Sequence, residues 1–183
     1  MSTASSSDVK AAGSERTRFR IYTHITQTRW LHVEDALSIG KLRLFAGQYQ
    51  RGDGANQTAY HFVDLQDARV LFFDLGLGRV PDSAKTGSGY VEYKGSGGGK
   101  AVSRVLRVKK SQDGRIWFEL RSGPGQVTRT GAVKPAGDPT TIVSVGFTPY
   151  EARRLGFAIG SYLRAREGGY WRARWKAEQA RQR

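Results

Sequence analysis

The sequence predicts an α+β fold: a mainly antiparallel, twisted β-sheet with a capped C-terminal helix packed against it. Three features lead there. From Phe19 onward the chain runs in short alternating or apolar stretches broken by Gly, Asp and Pro clusters, the pattern of antiparallel strands and not of βαβ units. In the segment 101–121, Ser111-Gln112-Asp113-Gly114 offers a turn in which Gly114 takes positive φ between two alternating strands. Thr148-Pro149-Tyr150-Glu151 then places a capping hydroxyl at N-cap, a proline at N1 and a reciprocal glutamate at N3.

Residues 1–18 contain no large apolar side chain beyond Met1 and Val9, too little burial to offset the entropy of ordering, and are expected to form a disordered tail. Strands are expected at 19–27, 41–50, 58–65, 69–75, 90–94, 101–110, 115–121 and 141–147. In the hairpin's second strand Ile116, Phe118 and Leu120 share one face, while Arg115, Trp117, Glu119 and Arg121 share the other. A helix is expected over 149–167, with Ala152, Leu155, Ile159, Tyr162 and Leu163 at helical spacing. Gly156 and Gly160 lower its propensity but allow another element to approach closely. Gly168-Gly169 should end it, leaving 168–183 as a basic aromatic tail or second helix, so that 19–167 forms one β-rich domain. No strict internal repeat is visible, although a loose β-then-β-then-helix order is.

Lys and Arg number 30 against 16 Asp and Glu, a formal net charge of +14. That excess is more than solubility requires and points to a polyanionic partner. The absence of cysteine excludes disulfides, thiolate metal sites and a cysteine nucleophile. His24, His32 and His61 stand in no setting that suggests a triad or a metal site, and no cofactor is expected. The apolar runs are short, with neither a signal segment nor a membrane span, so a cytoplasmic or nucleoid location is expected.

Chemistry concentrates on the polar faces of two strands. In the hairpin, Arg107 and Lys109 lie beside Arg115, Trp117 and Arg121, with Arg104 nearby. Cations there neutralise phosphates while an indole stacks on a base. The strand 41–50 repeats the design, with Leu42 and Leu44 inward and Lys41, Arg43, Phe45 and Tyr49 on the opposite face. Aromatics on an open sheet suit unpaired bases, whereas duplex readers more often place a helix in a groove. The expected partner is therefore single-stranded DNA or RNA. Phosphate contacts are assigned to Lys41, Arg43, Arg104, Arg107, Lys109, Arg115 and Arg121, and stacking to Tyr49, Tyr93 and Trp117.

Two alternatives compete. The segment Tyr170-Trp171-Arg172-Ala173-Arg174-Trp175-Lys176 suits docking on a protein, as in a subunit of a larger nucleoprotein assembly. Pro81-Asp82 followed by Glu92-Tyr93-Lys94 resembles the PD-(D/E)xK nuclease signature, in which two carboxylates hold a metal ion. Against it stand a short Gly/Ser-rich linker and the lack of a flanking α/β core. Gly95-Ser96-Gly97-Gly98-Gly99-Lys100 lacks Walker spacing, though it offers a possible backbone nest for phosphate.

The order of several strands, then Ile142-Val143-Ser144-Val145-Gly146-Phe147, then a capped helix with Leu155, Ile159 and Leu163, resembles the Whirly, positive cofactor four, PUR and ThermoDBP group of single-stranded nucleic-acid binders. The resemblance covers 90–166 and is architectural; Gly40-Lys41-Leu42 loosely echoes the Lys-Gly-Lys strand signature of plant Whirly proteins. It implies a curved sheet that binds the strand, helices packed behind it, and self-association through helix 149–167, where Gly156 and Gly160 would suit the interface. The Trp171/Trp175 tail is the other candidate contact for an oligomer or assembly.

Overall fold

The computed structural model describes residues 18–181, except 51, 53, 84–88 and 97–99. The expected tail thus lies outside the described residues but for Arg18, and so does the middle of the 95–100 glycine stretch. The chain runs β1 (Arg20–Ile25), β2 (Arg29–Ala36), β3 (Lys41–Gln50), β4 (Gly54–Asp64), α1 (Leu65–Gly76), β5 (Tyr90–Ser96), β6 (Val102–Lys110), β7 (Ile116–Val127), β8 (Val133–Pro135), β9 (Thr141–Phe147) and α2 (Pro149–Arg181). The α+β, antiparallel expectation holds, but there are two sheets and not one. The first is ordered β1-β2-β3-β4; the second is ordered β5-β6-β7-β9, with β8 paired to the far end of β7.

Each sheet turns one face inward. Leu31, Val33, Leu42, Leu44 and Val63 of the first sheet meet Leu106, Val108, Phe118, Leu120, Val145 and Phe147 of the second in one core. The two helices close that core with Leu71, Phe72, Leu75, Leu155 and Ile159. Each sheet is followed by a helix, so the chain is built as two β-then-α halves.

That repeat is invisible if residues 69–75 are a strand, as their β-branched and aromatic content suggests. They form α1 instead. Ala68, Leu71, Phe72 and Leu75, buried together with Gly76, form an i, i+3, i+4, i+7 stripe that packing selects over strand propensity. The short strand β2 was also absent from the expectation, although Leu31 and Val33 alternate with Trp30, His32 and Glu34 in the manner of a half-buried strand.

At α2 the capping box forms as read. The Glu151 amide donates to Thr148 Oγ1 at 3.2 Å, and Glu151 Oε2 accepts from the Thr148 amide at 2.8 Å. Its end differs: α2 continues through Gly168-Gly169 to Arg181, and neither glycine has positive φ. A helix-interior glycine weakens a helix by only about 1 kcal/mol, and the good helix formers Ala165, Arg166 and Glu167 precede the pair while Arg172, Ala173 and Arg174 follow after Tyr170 and Trp171. Past Gly169 every described residue is exposed, including Tyr170, Trp171 and Trp175, so this part of α2 projects as an arm. No helix among the described residues is long and apolar enough to cross a membrane.

The two helices meet backbone to backbone at one glycine. A Cβ on Gly156 would lie 2.4 Å from the Gly76 amide nitrogen and 2.5 Å from the Phe72 carbonyl oxygen, whereas one on Gly160 would meet nothing within 4 Å. Gly156→Ala should therefore destabilise the fold by about 1–3 kcal/mol through overpacking, while Gly160→Ala should be neutral or stabilising by up to about 1 kcal/mol. Urea midpoints of the two variants check this.

Candidate nucleic-acid interface

The outward face of the second sheet is an ordered grid. Antiparallel register places Lys109, Trp117 and Gly146 in one row across β6, β7 and β9. The next row is Val91, Arg107, Glu119 and Ser144, followed by Tyr93, Val105, Arg121 and Ile142. Trp117 and Arg121 lie four positions apart on β7, a span of about 13 Å at strand rise.

The Trp117 indole lies flat over its cross-strand glycine. A Cβ on Gly146 would sit 3.0 Å from the six-membered ring, so glycine is what allows the ring to rest on the backbone. The ring stays partly exposed, Lys109 beside it is exposed, and Tyr93 on β5 is 53% exposed. Arg121 is held in place by its Nε donating to Glu119 Oε1 at 2.7 Å. Arg115 belongs to the hairpin turn, where it faces Asp113 at 3.6 Å. The structure therefore brings Tyr93, Arg107, Lys109, Trp117 and Arg121 onto one surface, with Arg115 at its end.

It does not bring the remaining four to that surface. Arg104 has the opposite strand parity, that of Leu106 and Val108, and its guanidinium stacks 4.4 Å from the Tyr60 ring centroid. Lys41 is ion-paired with Asp64 at the end of β3. Arg43 is buried: its Nη1 donates to Glu34 at 2.8 Å, and its guanidinium lies 4.3 Å from the Phe45 centroid and 4.9 Å from that of Tyr60. A guanidinium so enclosed is no surface phosphate contact. Tyr49 follows a register shift in β3, and its hydroxyl donates to the Thr26 carbonyl at 2.6 Å, anchoring the β1–β2 turn.

What the sequence reading missed on the first sheet is Trp30. It repeats the Trp117 device, lying over its cross-strand partner Gly47, where a Cβ would come 2.4 Å from the indole. His32 stacks beside it at 4.4 Å and Phe45 meets it edge-on at 4.7 Å. The period-2 pattern of residues 30–34 was the available signal.

Two residues of the nuclease-like motif, Glu92 and Lys94, join the two sheets. Glu92 accepts from His61 Nε2 at 3.3 Å and from the Tyr90 hydroxyl at 2.8 Å, and it pairs with Lys94 at 3.0 Å. Lys94 and Lys41 both bind Asp64, the N-cap residue of α1. The carboxylates that cluster with Glu92 are those of Asp64 and Asp67, not that of Asp82. Here two ammonium groups and an imidazole serve the negative charges, a structural seam between β4 and β5. At the other edge His24 closes β1 against β9, donating to the Gly146 carbonyl at 3.1 Å and stacking on Phe147 at 4.0 Å.

No family model matches the chain, and no curated protein matches it in sequence. Among solved structures, the crystal structure of WHY1 from Arabidopsis thaliana matches with a TM-score of 0.51 at 15% identity, over 87% of this chain and 90% of that one. The architecture is Whirly-like. That likeness extends beyond the expected 90–166 to both halves of the fold, and at this identity it speaks to the fold alone.

The β4–β5 seam sets a pH dependence. Hydrogen bonds from Lys41 and Lys94 hold the Asp64 carboxyl below its ordinary range. Burial alone would raise Glu92, but donation from His61, Lys94 and Tyr90 reverses that and leaves it lowered. Groups whose folded pKa is depressed stabilise the fold above their unfolded pKa, and this is lost as pH falls below about 4. Asp64→Asn should flatten the loss of stability between about pH 5 and 2, as followed by urea denaturation across that range.

Proposed function

We propose that this protein binds single-stranded nucleic acid, without catalysis, on the outward face of its second sheet. The observation that carries the reading is Trp117, laid over Gly146 and left partly exposed in a row with Lys109. An indole on an outer sheet face gives up burial that the core could supply. Stacking of an unpaired base on it contributes about 1–3 kcal/mol, and the neighbouring cations neutralise phosphates. The interface consists of Tyr93, Arg107, Lys109, Arg115, Trp117 and Arg121. The Whirly-like fold supports the reading, because that resemblance implies single-strand binding on a curved sheet. The net charge of +14 supports it as well.

A second reading, self-association or docking within a larger assembly, draws on the helices. Val70, Phe73, Leu77 and Phe157 are exposed beside a groove of about 540 Å³ between α1 and α2. Oligomerisation is what the Whirly resemblance implies for this side of the molecule, and the exposed Trp171 and Trp175 arm offers a further contact.

Fluorescence anisotropy of labelled single-stranded DNA, single-stranded RNA and duplex DNA across a salt series tests the first reading. Single strands should bind tighter than duplex, and affinity should fall steeply with salt. Trp117→Ala should weaken single-strand binding by about 1–3 kcal/mol, and Lys109→Ala should reduce the salt slope by about one. Binding that ignores ionic strength would sink the proposal.

A further inference from the structure

The far end of the same face holds a feature that plain strand-coating does not need. Beyond Arg121 the tail of β7 and strand β8 curl back over the outer face. Three bare glycines make the curl possible. A Cβ on Gly95 would lie 2.4 Å from Val133 Cβ, one on Gly125 would lie 2.6 Å from Val133 Cγ1, and one on Gly123 would lie 2.8 Å from Pro139 Cα. The result is a pocket of about 230 Å³ between Tyr93, Ser103, Arg107, Arg121, Pro124 and Pro139. Ligand pockets for drug-sized molecules run from about 300 Å³ upward, so this one is sized for a single base.

Two polar groups at the pocket are unsatisfied. Ser103 is only 3% exposed, and neither its Oγ nor the Nε of Arg107 has a hydrogen-bond partner among the described residues. Buried donors are normally paired, because leaving one unmade carries an uncompensated desolvation cost. A small rotation of either side chain toward the pocket offers its hydrogen to a bound acceptor. Asp138 on the rim adds an acceptor, and an acid there disfavours a bare phosphate. Tyr93, half-exposed beside the opening, supplies a stacking face.

We propose that this pocket reads one unstacked base of the bound strand, and that it prefers guanine to adenine. This rests on the reading of the second sheet as a single-strand platform. Guanine presents O6 and N7 as two adjacent acceptors, the edge that an arginine donor and a hydroxyl donor match. Its N1–H and amino group suit the Asp138 carboxylate. Adenine puts an amino donor where O6 would be and leaves Arg107 facing another donor. The platform at Trp117 therefore tolerates any base, while the pocket adds a preference at one position.

The test is a competition against the full chain with three thymidine dodecamers that differ at one central position, carrying guanine, adenine, or a guanine analogue with carbon in place of N7. The guanine strand should bind at least about fivefold tighter than the adenine strand, and the analogue should lose part of that advantage. Ser103→Ala and Arg107→Gln should each bring the guanine-to-adenine ratio toward one. The analogue arm uses the unmodified protein, so it holds even if a variant folds poorly. Equal affinity for guanine and adenine strands, in a protein that still binds them with steep salt dependence, overturns the pocket and spares the platform. No salt-dependent binding to any of the strands overturns both.

Discussion

Side chains alternate across a strand, so closing two sheets over one core commits the other half of the strand residues to two outward faces. Everything else in the molecule follows from that partition. Leu106, Val108, Phe118 and Leu120 go inward and fill the core with no exposed area. Their neighbours Arg107, Lys109, Trp117 and Arg121 are sent outward together, in rows set by the register of β6 and β7. A one-residue slip would exchange the two sets, so the hydrophobic core also fixes the geometry of the candidate interface.

Two sheets so arranged leave open edges, and histidines close both. His24 joins β1 to the Gly146 carbonyl of β9, and His61 joins β4 to Glu92 of β5. The second seam extends through Lys94 to Asp64, which caps α1 and also binds Lys41. Asp64 makes no side-chain bond to the first-turn amides of α1, because its oxygens are taken by the two lysines. Glu92 and Lys94, two residues of the segment that resembles a nuclease motif, take part in this junction.

Several elements were legible because their signals are local. The Thr148 capping box, the Gly114 turn with φ of 83° and the alternation of the 115–121 strand each depend on residues a few positions apart, and each formed as read. Residues 69–75 were misread because Val70, Leu71, Phe72 and Phe73 favour strand locally, while the helical stripe from Ala68 to Leu75 acquires its meaning only against α2. With that helix mistaken, only a loose β-then-β-then-helix order was legible, and the helix that completes the first half was missed. The glycine pair 168–169 was read as a stop, yet it lacks the left-handed conformation that a stop requires.

The candidate site divides along the same line. Strand parity in the amino-acid order alone placed Arg107, Lys109, Trp117 and Arg121 on one side of a hairpin, and composition alone pointed to a polyanion. Parity also put Arg43 on an outer face, but only the tertiary structure showed that Glu34, Phe45 and Tyr60 enclose it there. The glycines beneath Trp117 and Trp30, and the curl of β8 over Gly95, lie far from their partners in sequence. The order of residues determines which side chains face outward, because that follows from a two-residue period. Which of them remain available is decided by contacts between distant strands, and no local pattern encodes those contacts.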